Sequence, residues 1–517
     1  MLRFACWTIA ACLVTGMGLA NTLYVTSTAD DGSAGTLRSV IAAANAGDTI
    51  QFQLTFPATI QLTNQTTSTP LITIDKSLTI QGPGPSQLTV IGYSDTNGSY
   101  DVFNVNQPYT PVANISVSLS GMTIERGGAA VWSSGYSAGT NYTVQVSLDN
   151  VALLNNFDGI DVSYGVTATL SQCTISGNYL GVASYSDSGD PANNTTITQS
   201  TLSNNFGGVY NTYGTVTLLN STLSGNGFSS GATGFYAGLI GDQSSTTNVV
   251  FTTIVGAPGN ATPGVFTYGA GAVFDFKNSL IADNPGGNCS MNYMATTSAG
   301  YNLDSDGSCG FTGTGDLNGS AGSPINPGLD PLGLASNGGP TQTIALVAGS
   351  PAIDHVPDAA CTDLTGAAVT TDQRGDARPS GAACDTGAYE LSASATPIAV
   401  KLNLSGSSPT STSFTLTATF NTSIAIDPTT QAVSLTIGSY QVTIPAGSFH
   451  VLKNGSKAGN WVYSGVIGGV TLNVQIAPPA SGGSYQFKAN GGVVDVGTAT
   501  PIPVVITIGS FTGQGSV

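Results

Sequence analysis

LSQCTISGN (170–178), ITQSTLSNN (197–205) and LLNSTLSGN (218–226) are copies of one nine-residue pattern. Four further copies flank them: LSGMTIERG (119–127), LDNVALLNN (148–156), VVFTTIVGA (249–257) and FKNSLIADN (276–284). The first column is always apolar. The column five residues on is always aliphatic: Ile124, Leu153, Ile175, Leu202, Leu223, Ile254 and Ile281. An amide stands at plus two in Asn150, Gln172, Gln199, Asn220 and Asn278, and asparagine at plus eight in Asn156, Asn178, Asn205, Asn226 and Asn284.

Positions zero and five have opposite parity, so one flat strand cannot turn both inward. A bend must separate them, and the plus-two amide is its place, because asparagine tolerates the left-handed conformation a tight bend requires. Amides stacked in that column are expected to hydrogen-bond as a ladder. The copies recur at intervals of 29, 22, 27, 21, 31 and 27 residues, so one coil averages about 26. Such a register predicts a parallel β-helix and excludes a sandwich over this region. Cys173 stands at plus three beside Met122, Val151, Ser200, Ser221, Thr252 and Ser279, which predicts a buried, inert thiol.

Working outward, Leu37, Val40, Ile41 and Ala44 have helical spacing within Thr36–Ala46, with Gly47 as a stop. This short helix is expected to cover the open N-terminal end of the solenoid. Ile50, Phe52, Leu54 and Phe56 then alternate as a strand, and LITIDKSLTIQGPG (71–84) supplies two more. The whole rod is expected to hold roughly ten to twelve coils and to extend ~50 Å. Beyond a linker at 392–398, alternating runs such as Phe414, Leu416, Ala418, Phe420 and Val504, Ile506, Ile508 predict an antiparallel β-sandwich or barrel over 399–517. The fold class is therefore all-β, with a first section at 21–90, the principal coils at 91–300, a closing cap at 301–391 and a second β domain.

Composition agrees. Charged residues make up 8% of the 517, and Glu125 and Glu390 are the only glutamates, so the residues that cover helix surfaces are nearly absent. The net charge of −17 and the lack of basic clusters exclude nucleic acid and disfavour anionic membranes and polyanionic sugars. His355 and His450, the only histidines, lie far apart.

MLRFACWTIAACLVTGMGLA (1–20) joins one Arg, an apolar run and a Gly18-Leu19-Ala20 ending, which predicts a secretory signal. The mature chain then has no membrane-spanning segment and is expected to be monomeric. Export leaves five cysteines. Spacings of 20 and 23 predict Cys289–Cys309 and Cys361–Cys384 disulfides, each contributing ~3 kcal/mol.

TLRSVIAAANAGDTIQF (36–52) resembles the opening of secreted bacterial right-handed β-helix proteins. GYNLDSDGSCGF (300–311), DPLGLASNGGPTQTIALVAGSPAID (330–354), DQRGDARP (372–379) and CDTGAYE (384–390) resemble the choice-of-anchor Q domain. The resemblance implies the right-handed helix and an extracellular or cell-surface location, and it assigns no reaction. Physically, Asp372, Arg374, Arg378, Asp385 and Glu390 gather scarce charges, which predicts an ion-paired structural cap tied by Cys361–Cys384.

Two stretches could carry chemistry. Asp158 and Asp161 in NNFDGIDV (155–162) are the paired carboxylates that glycan hydrolysis needs, and the stretch resembles the Asn-x-Asp-Gly of polygalacturonases. The Gly-His-Gly and Arg-x-Lys elements of that family are missing, so the pair is expected to be turn residues. Asn302, Asp304 and Asp306 alternate like the oxygen ligands of a calcium loop, but Gly313 replaces the closing acid, and Asx-turns explain the string as well. No other cofactor is indicated. Tyr179, Tyr185, Tyr210 and Tyr213 recur on successive coils as a possible sugar platform. The expected function is a secreted or cell-surface, non-catalytic β-helix scaffold: an adhesin or glycan-contacting protein whose partners are extracellular glycans or cell-surface components. A glycan-binding terminal domain and a polysaccharide-degrading hydrolase or lyase are the alternatives.

Overall fold

The structure, a computed structural model, describes residues 20–63, 72–95, 98–106, 114–137, 140–227, 237–256, 262–290, 295–347, 349–391, 395–408, 411–422, 426–455, 457–479, 484–497, 501–509 and 511–517. The signal read at 1–20 lies outside them except for Ala20, as does the start of the linker.

The repeats wind into a parallel β-helix. A 20-stranded parallel sheet folds along the plus-two bend into two faces, and a nine-stranded parallel sheet forms the third. On the first face, strands beginning at Thr22, Thr49, Leu78, Ile115, Val144, Val166, Asn194, Thr215, Thr246, Val273 and Ala295 pair in that order, eleven rungs among the described residues. Leu148, Leu170, Ile197 and Leu218 are partners in vertical register, as are Ile175, Leu202 and Leu223. All are fully buried in one continuous core. The plus-three stack is buried too, and burial pushes the Cys173 thiol up to about 12.

Both corners of the motif are left-handed. All seven plus-two residues have positive φ, from 44° at Phe251 to 60° at Gly121. The plus-seven residues Arg126, Asn155, Gly177, Asn204, Gly225 and Asp283 do as well, at 54° to 72°. The hydrogen-bonded ladder, however, does not run along the plus-two amides. It runs along plus eight, where the left-handed residue before it turns the side chain inward. Asn178 donates from its backbone N and from Nδ2 to Oδ1 of Asn205 (2.9 and 3.0 Å), and Asn205 donates likewise to Asn226 (3.1 and 2.9 Å). Asn156 donates to Asn178 in the same way (2.8 and 3.1 Å). Each Nδ2 also reaches a carbonyl of a neighbouring rung, as Asn205 does at Ile175 O (3.1 Å).

The plus-two amides point outward instead and hold the segment 330–391. Gln199 Nε2 donates to Asp372 O (3.3 Å), Asn220 Nδ2 to Thr371 O (2.7 Å) and Asn278 Nδ2 to Ala360 O (2.9 Å). That segment therefore lies along the flank of the coils, while Leu303–Asp304 and Leu317–Asn318 add rungs to the end. Its charges pair internally: Arg374 with Asp372 (2.7 Å) and Asp376 (3.0 Å), and fully buried Arg378 with fully buried Glu390 (3.0 Å). The Arg378 guanidinium lies 4.2 Å from the ring centre of Phe251, itself a plus-two residue. Asp385 makes no ion pair among the described residues; it accepts backbone N–H groups of Asp354 and Leu391, and burial beside Glu390 raises its pKa to about 7. Both disulfides, Cys289–Cys309 and Cys361–Cys384, are formed.

At the start, the helix is Leu37–Ala43 with Thr36 as its cap, shorter than Thr36–Ala46. The strand expected through Phe56 ends at Phe52, and a new one begins at Ala58, just after Pro57, which has no N–H to donate to a ladder. At the other end, five- and six-stranded sheets, mainly antiparallel, enclose a separate core of Phe414, Leu416, Phe487, Ile506 and others, a sandwich. Ala395–Pro397, read as linker, form a strand beside the last one.

The ladder makes a prediction. Asn205→Ala strands the two donors of Asn178 in the core and is expected to cost about 2–4 kcal/mol in chemical denaturation. Gly181→Ala is expected to be at least as damaging, because its Cβ would meet Gly208 O at 2.5 Å. Gln172→Gly, at an outward bend of φ 54°, is expected to be neutral or stabilising. Equal losses in Asn205→Ala and Gln172→Gly would show that the ladder carries no special weight.

Candidate functional site

The third face alternates. Val131, Ile160, Val182, Val209 and Leu239 are register partners that point into the core. Their neighbours Trp132, Asp161, Ala183 and Tyr210 form the adjacent outward column. Ser163 and Tyr185 are partners in the next outward column, which continues in Thr212 and Asp242. Successive rungs stand ~4.8 Å apart, so these side chains form a regular lattice on a rigid sheet.

At the corner leading into this face, Phe157, Tyr179 and Phe206 follow the asparagines of the ladder. Phe157 and Tyr179 stack with centroids 4.7 Å apart and planes within 14°, and Phe206 lies 5.6 Å from Tyr179. Phe157 is 57% exposed. Inward, the same corner is made of glycines, which let the turns stack closely.

Two clefts open side by side between these features and share Trp132 and Asp161. The first, about 350 Å³, is lined by Asp101, Gly128, Ala129, Trp132, Phe157, Asp158 and Asp161. The second, about 400 Å³, adds Tyr185, Tyr210, Tyr213, Asp187 and Asp242. Tyr185 and Tyr210 pack with centroids 5.1 Å apart, and the Tyr210 hydroxyl donates to Asp242 (2.7 Å). Among the described residues no lysine, arginine or histidine lines either cleft.

The carboxyls are therefore poorly compensated. Burial, with Asp161 and Asp101 nearby, raises the pKa of Asp158 to about 7. Burial also raises Asp161 to about 7, against the hydrogen bond its Oδ1 accepts from Ser163 Oγ (3.0 Å). Asp101 is raised by burial, although its Oδ1 accepts Ala129 N–H (2.7 Å). Asp158 is 7% exposed, and its Oδ1, covered from solvent, has no hydrogen-bond partner among the described residues. Burial raises the Tyr185 hydroxyl, with Asp158 and Asp161 adding to the effect.

Asp158 and Asp161, read as turn residues, thus come together with Asp101, which sequence reasoning missed. Tyr185, Tyr210 and Tyr213 share the second cleft, whereas Tyr179 belongs to the aromatic stack. Trp132, Phe157 and Phe206 were also missed, although Phe157, Tyr179 and Phe206 share the plus-nine column of the repeat. In the stretch read as a calcium loop, the oxygens take hydrogen bonds from neighbouring groups. Asn302 Oδ1 accepts Ser279 N–H (2.9 Å), Asp304 Oδ2 accepts Cys309 N–H (2.7 Å), and Asp306 Oδ1 accepts Ser308 N–H (2.9 Å). These are turn and capping contacts. Among the described residues no cluster of three or more His, Cys, Asp or Glu could hold a metal ion.

The raised carboxyls make a prediction about stability. Their folded pKa of about 7 exceeds the unfolded ~3.9, so between those values the folded state holds the extra proton. The associated stability is complete below pH ~4 and is lost as pH rises towards 7. Asp158→Asn removes this loss, and its unfolding free energy is expected to exceed the wild type's at pH 8 by on the order of 2 kcal/mol and to match it at pH 4, as read by chemical denaturation. No difference at pH 8 would show that Asp158 ionises freely. The two disulfides indicate an oxidising environment, and no described helix is long and apolar enough to cross a membrane. Compared with known family models, curated proteins and solved structures, the chain matches none.

Proposed function

We propose that this chain is an exported, non-catalytic β-helix scaffold that binds extended glycans along the outer surface of its third face, in the manner of a secreted or surface adhesin. The export signal read at 1–20, the disulfides and the resemblance to secreted choice-of-anchor Q proteins support the location. The observation that carries the binding reading is the outward column of Trp132, Asp161 and Tyr210, flanked by stacked Phe157, Tyr179 and Phe206. Aromatic faces offer flat apolar area to sugar rings, and carboxylates accept from hydroxyls. A pyranose unit is about as long as the rung spacing, so successive sugars meet equivalent positions. Five aspartates, with no cation among the described residues of the clefts, turn away uronates and sulfated chains. The ligands are neutral or amino-bearing oligosaccharides.

A second reading, glycan hydrolysis, is favoured by one observation: Asp158 and Asp161 line a single cleft, and burial raises Asp158 as a general acid requires.

A glycan array followed by calorimetry tests the first. Full-length protein is expected to bind neutral or amino-bearing oligosaccharides, and Trp132→Ala or Tyr210→Ala to weaken that binding about tenfold. Absence of binding, or binding unaffected by both substitutions, would sink it. Reducing ends released by the wild type but not by Asp158→Asn would establish the hydrolytic reading instead.

A further inference from the structure

We infer that the space over Gly128 is a ring slot, the anchoring subsite in which one pyranose of a straight, equatorially linked glucan stacks on Phe157. This deepens the glycan-binding reading and rests on it.

Main-chain bonds set Phe157, Tyr179 and Phe206 in one column along the rod. Leu180 N donates to Phe157 O (3.0 Å) and Gly207 N to Tyr179 O (2.8 Å). One coil earlier the same bond runs from Asp158 N to Gly128 O (2.9 Å), so Gly128 holds the next place in the column and brings no side chain to it. Tyr100 stands one coil further back, its carbonyl accepting Gly128 N–H (2.8 Å), but its ring packs on Tyr93 and does not line the cleft. Tyr179 covers one face of Phe157 with nearly parallel planes. The opposite face is turned towards Gly128. Tyr179 and Phe206 are half-buried, whereas Phe157, at the end of the stack, is 57% exposed. That face is one wall of the first cleft, with Trp132, Gly128 and Ala129 among the rest of its lining.

What continues an aromatic column is a flat ring with apolar faces. A pyranose whose substituents are all equatorial meets this need, because its faces carry only C–H groups. Its hydroxyls radiate from the edge, where Asp101 and Asp161 in the same lining accept from them. The linkage follows from what lies beyond. Tyr185 and Tyr210, in the adjoining cleft, stand two and three rungs further along the same sheet, roughly 10–14 Å at the rung spacing. A chain joined by equatorial bonds at both ends of each ring stays extended and reaches them in two or three units. A chain with an axial bond in each linkage curls away from the sheet.

Calorimetry on the full chain with cellohexaose, the straight β-linked glucose hexamer, and maltohexaose, its curled α-linked isomer, tests the inference. Cellohexaose is expected to bind about tenfold more tightly. Phe157→Ala, at an exposed ring, is expected to abolish that preference. Gly128→Phe is expected to abolish it as well, by supplying the next ring of the column from within the protein. Gly128 does not have a positive φ, so its backbone accepts a side chain. If Gly128→Phe fails to fold, Phe157→Ala decides alone. Equal affinity for the two hexamers, or a preference that survives Phe157→Ala, overturns the slot and leaves glycan binding standing. Binding of neither hexamer also overturns the slot, and the glycan array then shows separately whether the face binds other sugars.

Discussion

The asparagine ladder is the contact on which the architecture depends. A parallel β-helix must turn its backbone at every corner, and each turn takes peptide groups out of the sheet hydrogen-bond pattern. Water cannot reach them at an inner corner, so a side chain must. Asn156, Asn178 and Asn205 each accept from the coil before and donate both to the coil after and to a neighbouring carbonyl, and Asn226 accepts from Asn205 and donates to Leu202 O. One residue type thereby satisfies a whole corner, and its regular spacing stacks the coils in register. The glycines just beyond it let the third face begin within van der Waals distance of the coil above.

That regularity creates the candidate site. Once inward positions are committed to valine and leucine, the alternate positions of the third face form columns on a fixed lattice. Whatever stands there, Trp132, Asp161 or Tyr210, is held at the spacing of the rungs without needing a loop to place it. The acid cavity arises at the edge of this lattice, where the connection carrying Asp101 meets the corner carrying Phe157 and Asp158. Its carboxyls are raised because burial desolvates them and, among the described residues, no cation lines the site, in contrast to the flank segment, where arginines compensate the acids.

Much of the fold is legible in the nine-residue repeat, because opposite parity at positions zero and five requires a bend, and the structure bends there in all seven copies. Which of the two amide columns faces inward is not legible from parity. It depends on the left-handed residue at plus seven, whose identity varies among Arg126, Asn155, Gly177, Asn204 and Asp283. The paired arginines of 372–390 are visible as a charge cluster, but their docking against Gln199, Asn220 and Phe251 is not, since local periodicity carries no information about contacts some 150 residues apart. The candidate site is half visible. Asp158 and Asp161 stand three positions apart in the chain, whereas Asp101 and Trp132 lie outside the repeat and meet them only through register.

The flank segment has a consequence for how the rod comes apart. In a bare solenoid each coil touches only its neighbours, so ends fray independently and stability is a sum of local terms. Here one strap fastens bends from Gln199 to Asn278, and a covalent loop from Cys361 to Cys384 lies within it. Those coils cannot open singly without releasing the strap. The C-terminal half of the rod is thus joined into one cooperative block, while the half that bears the acid cavity retains the looser, rung-by-rung freedom of a simple stack.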